Sequence, residues 1–121
     1  MGEEGCLTNE KFYNLEVSNN LQLNGKMIYD FQEIEINGSD IDLNKPLIFI
    51  KPTGPINLVF RNGLKGQMII LINTTAHIVT LLKRDGSNQD YKVNGGGADS
   101  NTLDPNNCLK LIWNDNYWFE I

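Results

Sequence analysis

The chain has 121 residues, a formal net charge of -5 and 40% hydrophobic residues, which bounds it to one compact domain. Its acidity, with no basic cluster to offset it, argues against nucleic acid as a partner, since affinity for a phosphate backbone depends on Lys and Arg. The longest apolar run is too short to cross a bilayer, and Glu3 and Glu4 stand where the basic start of a signal peptide would lie.

Asparagine is the commonest residue, isoleucine and leucine follow, and there are eleven glycines. That mixture predicts many short strands joined by polar turns. Helix formers are scarce: alanine occurs only at Ala76 and Ala98. The two cysteines, Cys6 and Cys108, do not make a disulfide framework and read as free thiols, Cys108 as a small core residue.

Residues 1–14 show no periodicity and are expected to form a tail or an anchor peptide. From 15 to 45, small apolar groups alternate with polar ones: Leu15 and Val17, Leu21 and Leu23, Met27 with Tyr29 and Phe31, Ile34 and Ile36, Ile41 and Leu43. Asn24-Gly25 and Asn37-Gly38 turn the chain between them, a weak quasi-repeat. Each piece is too thin to be stable alone, so this part is expected to be a short stem or to wrap around the domain that follows.

Residues 46–121 are expected to form that domain. Pro46, Pro52 and Pro55 bracket Leu47 to Ile50, a strand placed at a sheet edge because proline donates no ladder hydrogen bond. Ile56 to Asn73 is the most apolar and most clearly punctuated stretch. It reads as two strands, Ile56 to Arg61 and Met68 to Ile72, joined as a hairpin through Gly63 and Gly66. The uninterrupted apolar run of the second strand requires both of its faces to be covered, one of them by another subunit. Ala76 to Leu82 is a further strand. Lys83 to Asn107 is expected to be one long surface loop, or two loops around a short strand at Tyr91 to Val93. Leu109 to Trp113 and Tyr117 to Ile121 close the chain as a hairpin turned by Asn114-Asp115-Asn116.

Little here supports catalysis, and no enzyme is expected. His77, the only histidine, lies in a strand pattern and reads as structural; no nucleophilic triad, phosphate loop or CxxC pair is present. No metal site is expected either, since the loop carboxylates match no calcium-loop spacing, and no cofactor is implied. The loop's Asp85, Asn88, Asp90, Asn94, Asp99 and Asn101 could hydrogen-bond sugar hydroxyls, with Tyr91 supplying a stacking face. A monomeric carbohydrate-binding module, using that loop or an aromatic platform of Trp113, Tyr117 and Trp118, is the alternative; the bland reading of the three aromatics is core or interface.

The turn Gly63-Leu64-Lys65-Gly66-Gln67 before an apolar strand, and the ending W-x-x-x-x-W-x-E from Trp113 to Glu120, form a pattern. It resembles the β-rich distal domains of phage and other viral fibre or spike proteins. The resemblance implies an all-β sandwich or jelly-roll-like head, a homotrimer, a virion location, and either attachment to a host-cell glycan or capsid decoration. It also implies contact with other capsid or tail proteins through the N-terminal segment.

Overall fold

Short apolar strands separated by closely spaced Asn, Gly and Pro corners gain stability by stacking in register rather than by extending. The structure is a computed structural model that describes residues 15–51, 53–93 and 99–121. Among the described residues it is all-β, without a helix.

Successive strands alternate between two sheets. In the larger sheet β1 (Phe31–Ile34), β3 (Leu47–Ile50) and β5 (Met68–Asn73) stack in parallel. In the smaller, β2 (Ser39–Asp40), β4 (Ile56–Val59) and β6 (Val79–Leu82) do the same. The chain therefore winds through three solenoid-like coils. Leu47 lies opposite Ile70 and Ile56 opposite Val79, so the second and third coils repeat at one offset of 23 residues.

The C-terminal strands close the last coil. These are β7 (Tyr91–Lys92), β8 (Asp99–Ser100), β9 (Thr102–Leu103), β10 (Cys108–Trp113) and β11 (Trp118–Glu120). β10 runs antiparallel to β5, and β9 antiparallel to β6. The larger sheet then continues through β11, β7 and β8, and at the other end of the stack β1 and β2 are its open edges.

Inward-facing Ile48, Ile50, Ile69, Leu71, Leu109 and Leu111 of the larger sheet meet Leu58, Val79, Leu81 and Leu103 of the smaller in one core. Each such side chain contributes roughly 1.5–3 kcal/mol on burial. Ile34 and Ile41, from the part expected as stem or wrapping strands, belong to the same core.

Three sequence expectations fail on connectivity. The segments Ile56 to Arg61 and Met68 to Ile72 do not form a hairpin, because β4 and β5 lie in different sheets and residues 60–67 cross between them. β3 is not an edge strand: it pairs with β1 and β5, and its flanking Pro46 sits outside the ladder, offering only its carbonyl to Ile70 N at 2.8 Å. A jelly roll pairs neighbouring strands antiparallel, whereas here five of the nine pairings are parallel. Cys108 is a further correction. It is exposed, because alternation along β10 places Leu109 inward and its neighbours outward. The terminal hairpin forms as expected, with Trp113 opposite Trp118 and Asp115 at φ 88° in the turn.

Candidate functional site

Two surfaces stand out, a polar groove at one corner of the coils and an apolar sheet face. The groove begins where β4 and β6 end. Continuing the 23-residue offset two residues past the Val59–Leu82 pair brings Arg61 and Arg84 to equivalent positions on successive coils. Both reach Asp40 of β2. Arg61 Nε donates to Asp40 Oδ1 at 2.9 Å and its Nη2 donates to Oδ2, while Arg84 Nη2 stands 3.2 Å from Oδ2. The Arg61 hydrogen bonds chiefly hold the Asp40 carboxyl below its usual range; burial opposes them, and Arg84 adds to the lowering. The same pairing raises the Arg61 guanidinium.

Clefts of about 390 and 250 Å³ open beside this cluster and share Asn62, Lys83 and Gln89. Gln89 is 4% exposed; its Nε2 donates to Asp90 O at 3.3 Å and its Oε1 has no partner among the described residues. Tyr117 borders the second cleft, with the Lys92 ammonium 5.0 Å from its ring centroid. The chemistry on offer is amide, guanidinium, ammonium and carboxylate hydrogen bonding beside one partly exposed ring.

The expected ligand residues do not converge. Asp85 and Asp90 line neighbouring clefts. Asp85 is committed to its own turn, accepting from Ser87 N at 2.9 Å and Ser87 Oγ at 2.5 Å, which lowers its carboxyl. Asn88 bridges Leu82. Asn101 uses its carbonyl to accept from Leu81 N. Asp99 pairs with Lys92 in the ladder between β7 and β8, and Asn94 lies outside the described residues.

Tyr91 is a correction. It is buried, its hydroxyl donates to Thr102 O at 2.8 Å, and burial pushes its phenol up, so it has no stacking face to offer. The aromatic platform also fails for the tryptophans. Trp118 is fully buried, donates from Nε1 to Arg61 O at 2.8 Å, and packs against Phe60 and Trp113. His77 sits in the bend before β6, where its carbonyl accepts from Asn73 Nδ2. Among the described residues no three His, Cys, Asp or Glu side chains stand together as a metal would need.

The second surface is the outer face of the larger sheet. Alternation turns Phe31, Leu47, Ile70 and Lys110 outward in one row, and Glu33, Phe49, Ile72 and Cys108 in the next. A third row carries Met68, Ile112, Phe119 and Lys92. Eight of these twelve are large and apolar, with the charged Glu33, Lys92 and Lys110 among them, and Tyr29, Pro46, Leu47, Met68 and Ile70 line a small cleft on this face. The smaller sheet is more polar outside: one outward row is Asn57, Thr80 and Thr102, and the other is Asp40, Val59 and Leu82. This larger-sheet face is the more apolar of the two and is a candidate contact surface.

Searches against protein families, characterised proteins and solved structures find no match to this chain.

Proposed function

We propose that this chain is a structural protein of a virion, the head of a trimeric fibre or spike or a capsid decoration, with two facing sheets forming the head. The observation that carries the reading is the apolar outer face of the larger sheet. A solvent-facing sheet surface is ordinarily polar in alternation with its buried face. Here Ile70, Ile72, Ile112 and Phe119 occupy positions where water would otherwise select Lys, Thr or Glu. Burying them between copies removes that cost, and a closed three-fold ring gives every copy the same contact. Host attachment, where the assembly performs it, takes place at the polar groove and the neighbouring loops. Three copies then raise avidity without new contacts, so one weak glycan contact per chain is enough.

The test uses paired substitutions. Ile70→Glu with Ile112→Glu puts two charges on the apolar face without entering the core. Asn57→Glu puts one on the polar face of the other sheet. The first variant is expected to lose association while its circular dichroism remains that of folded β-structure; the second keeps association. Equal association in both variants would overturn the proposal. A monomeric carbohydrate-binding module would predict that neither change alters the mass in solution.

A further inference from the structure

Among the described residues, the segment before β1 joins no sheet; its end meets β3, where Leu47 N donates to Asp30 O at 3.3 Å. Residues 15–30 form no strand and are exposed throughout, yet Leu15, Val17, Leu21, Leu23, Met27, Ile28 and Tyr29 are apolar. Ile28 is 85% exposed. A soluble linker would not carry such residues in alternation, since linkers are ordinarily polar.

The segment also repeats the pattern of the first ordered coil. Leu21-Gln22-Leu23-Asn24-Gly25-Lys26-Met27-Ile28 matches Ile34-Glu35-Ile36-Asn37-Gly38-Ser39-Asp40-Ile41 in its apolar ends and its Asn-Gly corner. Both corner glycines take positive φ, 118° at Gly25 and 81° at Gly38. In the first coil the apolar ends, Ile34 and Ile41, are buried in the core. Their counterparts Leu21 and Ile28 have no such surface. The arm thus carries the sequence pattern of a strand–turn–strand unit, but forms no strand and has no core to cover.

The sheet has a surface that lacks a cover. Where the arm reaches β1, Tyr29 already lies in the apolar cleft with Pro46, Leu47, Met68 and Ile70. The rest of the arm, from Leu15 to Ile28, is exposed and joins no strand. The six large apolar residues of 15–28 expose roughly 100 Å² each, about 600 Å² together, at the low end of one partner's share of a specific interface.

We infer that residues 15–28 of one copy lie across the apolar outer face of the larger sheet of a second copy. This rests on the self-assembly reading above and adds to it the element that bridges the copies. Passed from each copy to the next, such a contact closes into a ring.

The experiment uses the full chain carrying Leu21→Asp, Leu23→Asp and Ile28→Asp together. All three positions are exposed, so the fold of the single chain is not at stake. Light scattering at micromolar concentration is expected to show loss of the oligomer, with the circular dichroism of β-structure retained. As a second measurement, Leu23→Cys in a Cys6→Ser background is treated with a flexible bis-maleimide. Linkage between copies to Cys108, which is exposed on the outer face, is expected and is read by peptide mass; an Asn57→Cys control should give none. An oligomer that survives the triple substitution, or one in which Leu23→Cys never links to Cys108, overturns the arm assignment alone. A wild-type chain that is itself monomeric overturns both this assignment and the self-assembly reading.

Discussion

Gly63→Ala tests how the connector between the two sheets is held. The sequence reads Gly63 as a turn residue of a hairpin, but its role in the structure is close approach. A methyl at its Cα would stand 2.8 Å from Cη2 and 2.9 Å from Cζ2 of Trp118, and 3.0 Å from Gln67 Oε1. Trp118 has nowhere to go: it is fully buried, tied through Nε1 to Arg61 O, and wedged between Phe60 and Trp113 at centroid distances of 5.2 and 5.4 Å. Gln67 is equally committed, accepting from Leu64 N and donating to Leu43 O. The added methyl must therefore displace residues 61–67, an overpacking cost of about 1–3 kcal/mol. At about 4 °C per kcal/mol for a chain of this length, Tm should fall by roughly 4–12 °C. Thermal unfolding followed by near-UV circular dichroism reads it, at one fixed protein concentration because association itself raises Tm. Gly54→Ala, where an added Cβ meets nothing within 4 Å, is the control and should melt within about 2 °C of wild type. Combining Gly63→Ala with Trp118→Phe, which removes the clashing atoms, should cost less than the two changes summed. A Gly63→Ala protein that melts like wild type would refute the reasoning.

Asn73 ends β5 facing inward at 1% exposure. Its Nδ2 donates to His77 O at 2.6 Å and Asp104 O at 3.2 Å, and its Oδ1 accepts from Thr75 N and Thr75 Oγ1. Asn73→Ala leaves those backbone groups unpaired and should cost on the order of 2–4 kcal/mol, checked by urea unfolding. Asp40 gives a pH dependence. Its folded carboxyl lies below its ordinary value of 3.8, so its stabilisation is present above about pH 4 and is lost as the pH falls through the lowered value. The group is 40% exposed, so Asp40→Asn should cost under about 1 kcal/mol at neutral pH, less in high salt, and flatten the acid limb of a stability–pH curve.

The all-β class was legible because alternation and turn residues act locally. The closing hairpin was read correctly from Leu109, Leu111 and Trp113 and the Asn114-Asp115-Asn116 turn, where Asn114 Oδ1 accepts from the backbone of Asn116 and Tyr117. The short strand expected at Tyr91 to Val93 appears as β7, but the rest of residues 83–107 is not all loop, since β8 and β9 also form there. Connectivity was not legible from single strands. A glycine-punctuated link between two apolar strands suits a hairpin, and only the 23-residue register shows that β4 and β5 continue separate stacks. That same offset would have aligned Arg61 with Arg84 and so found the polar cluster on Asp40. Polar composition pointed instead to residues 83–107, where Asp85 turns out to cap its own turn and Tyr91 to fill the core. The uninterrupted run Met68 to Ile72 was read as needing cover on both faces. Ile69 and Leu71 are buried within the chain, while Ile70 and Ile72 turn outward. What lies against that outward side is a question of assembly, which no local pattern encodes.

The most direct test of this account is the mass of the native wild-type protein in solution, measured by multi-angle light scattering at micromolar concentration. One chain is 13.7 kDa. The account predicts a single species of three chains, with the outer face of the larger sheet buried between them. A single species at the mass of one chain would contradict it.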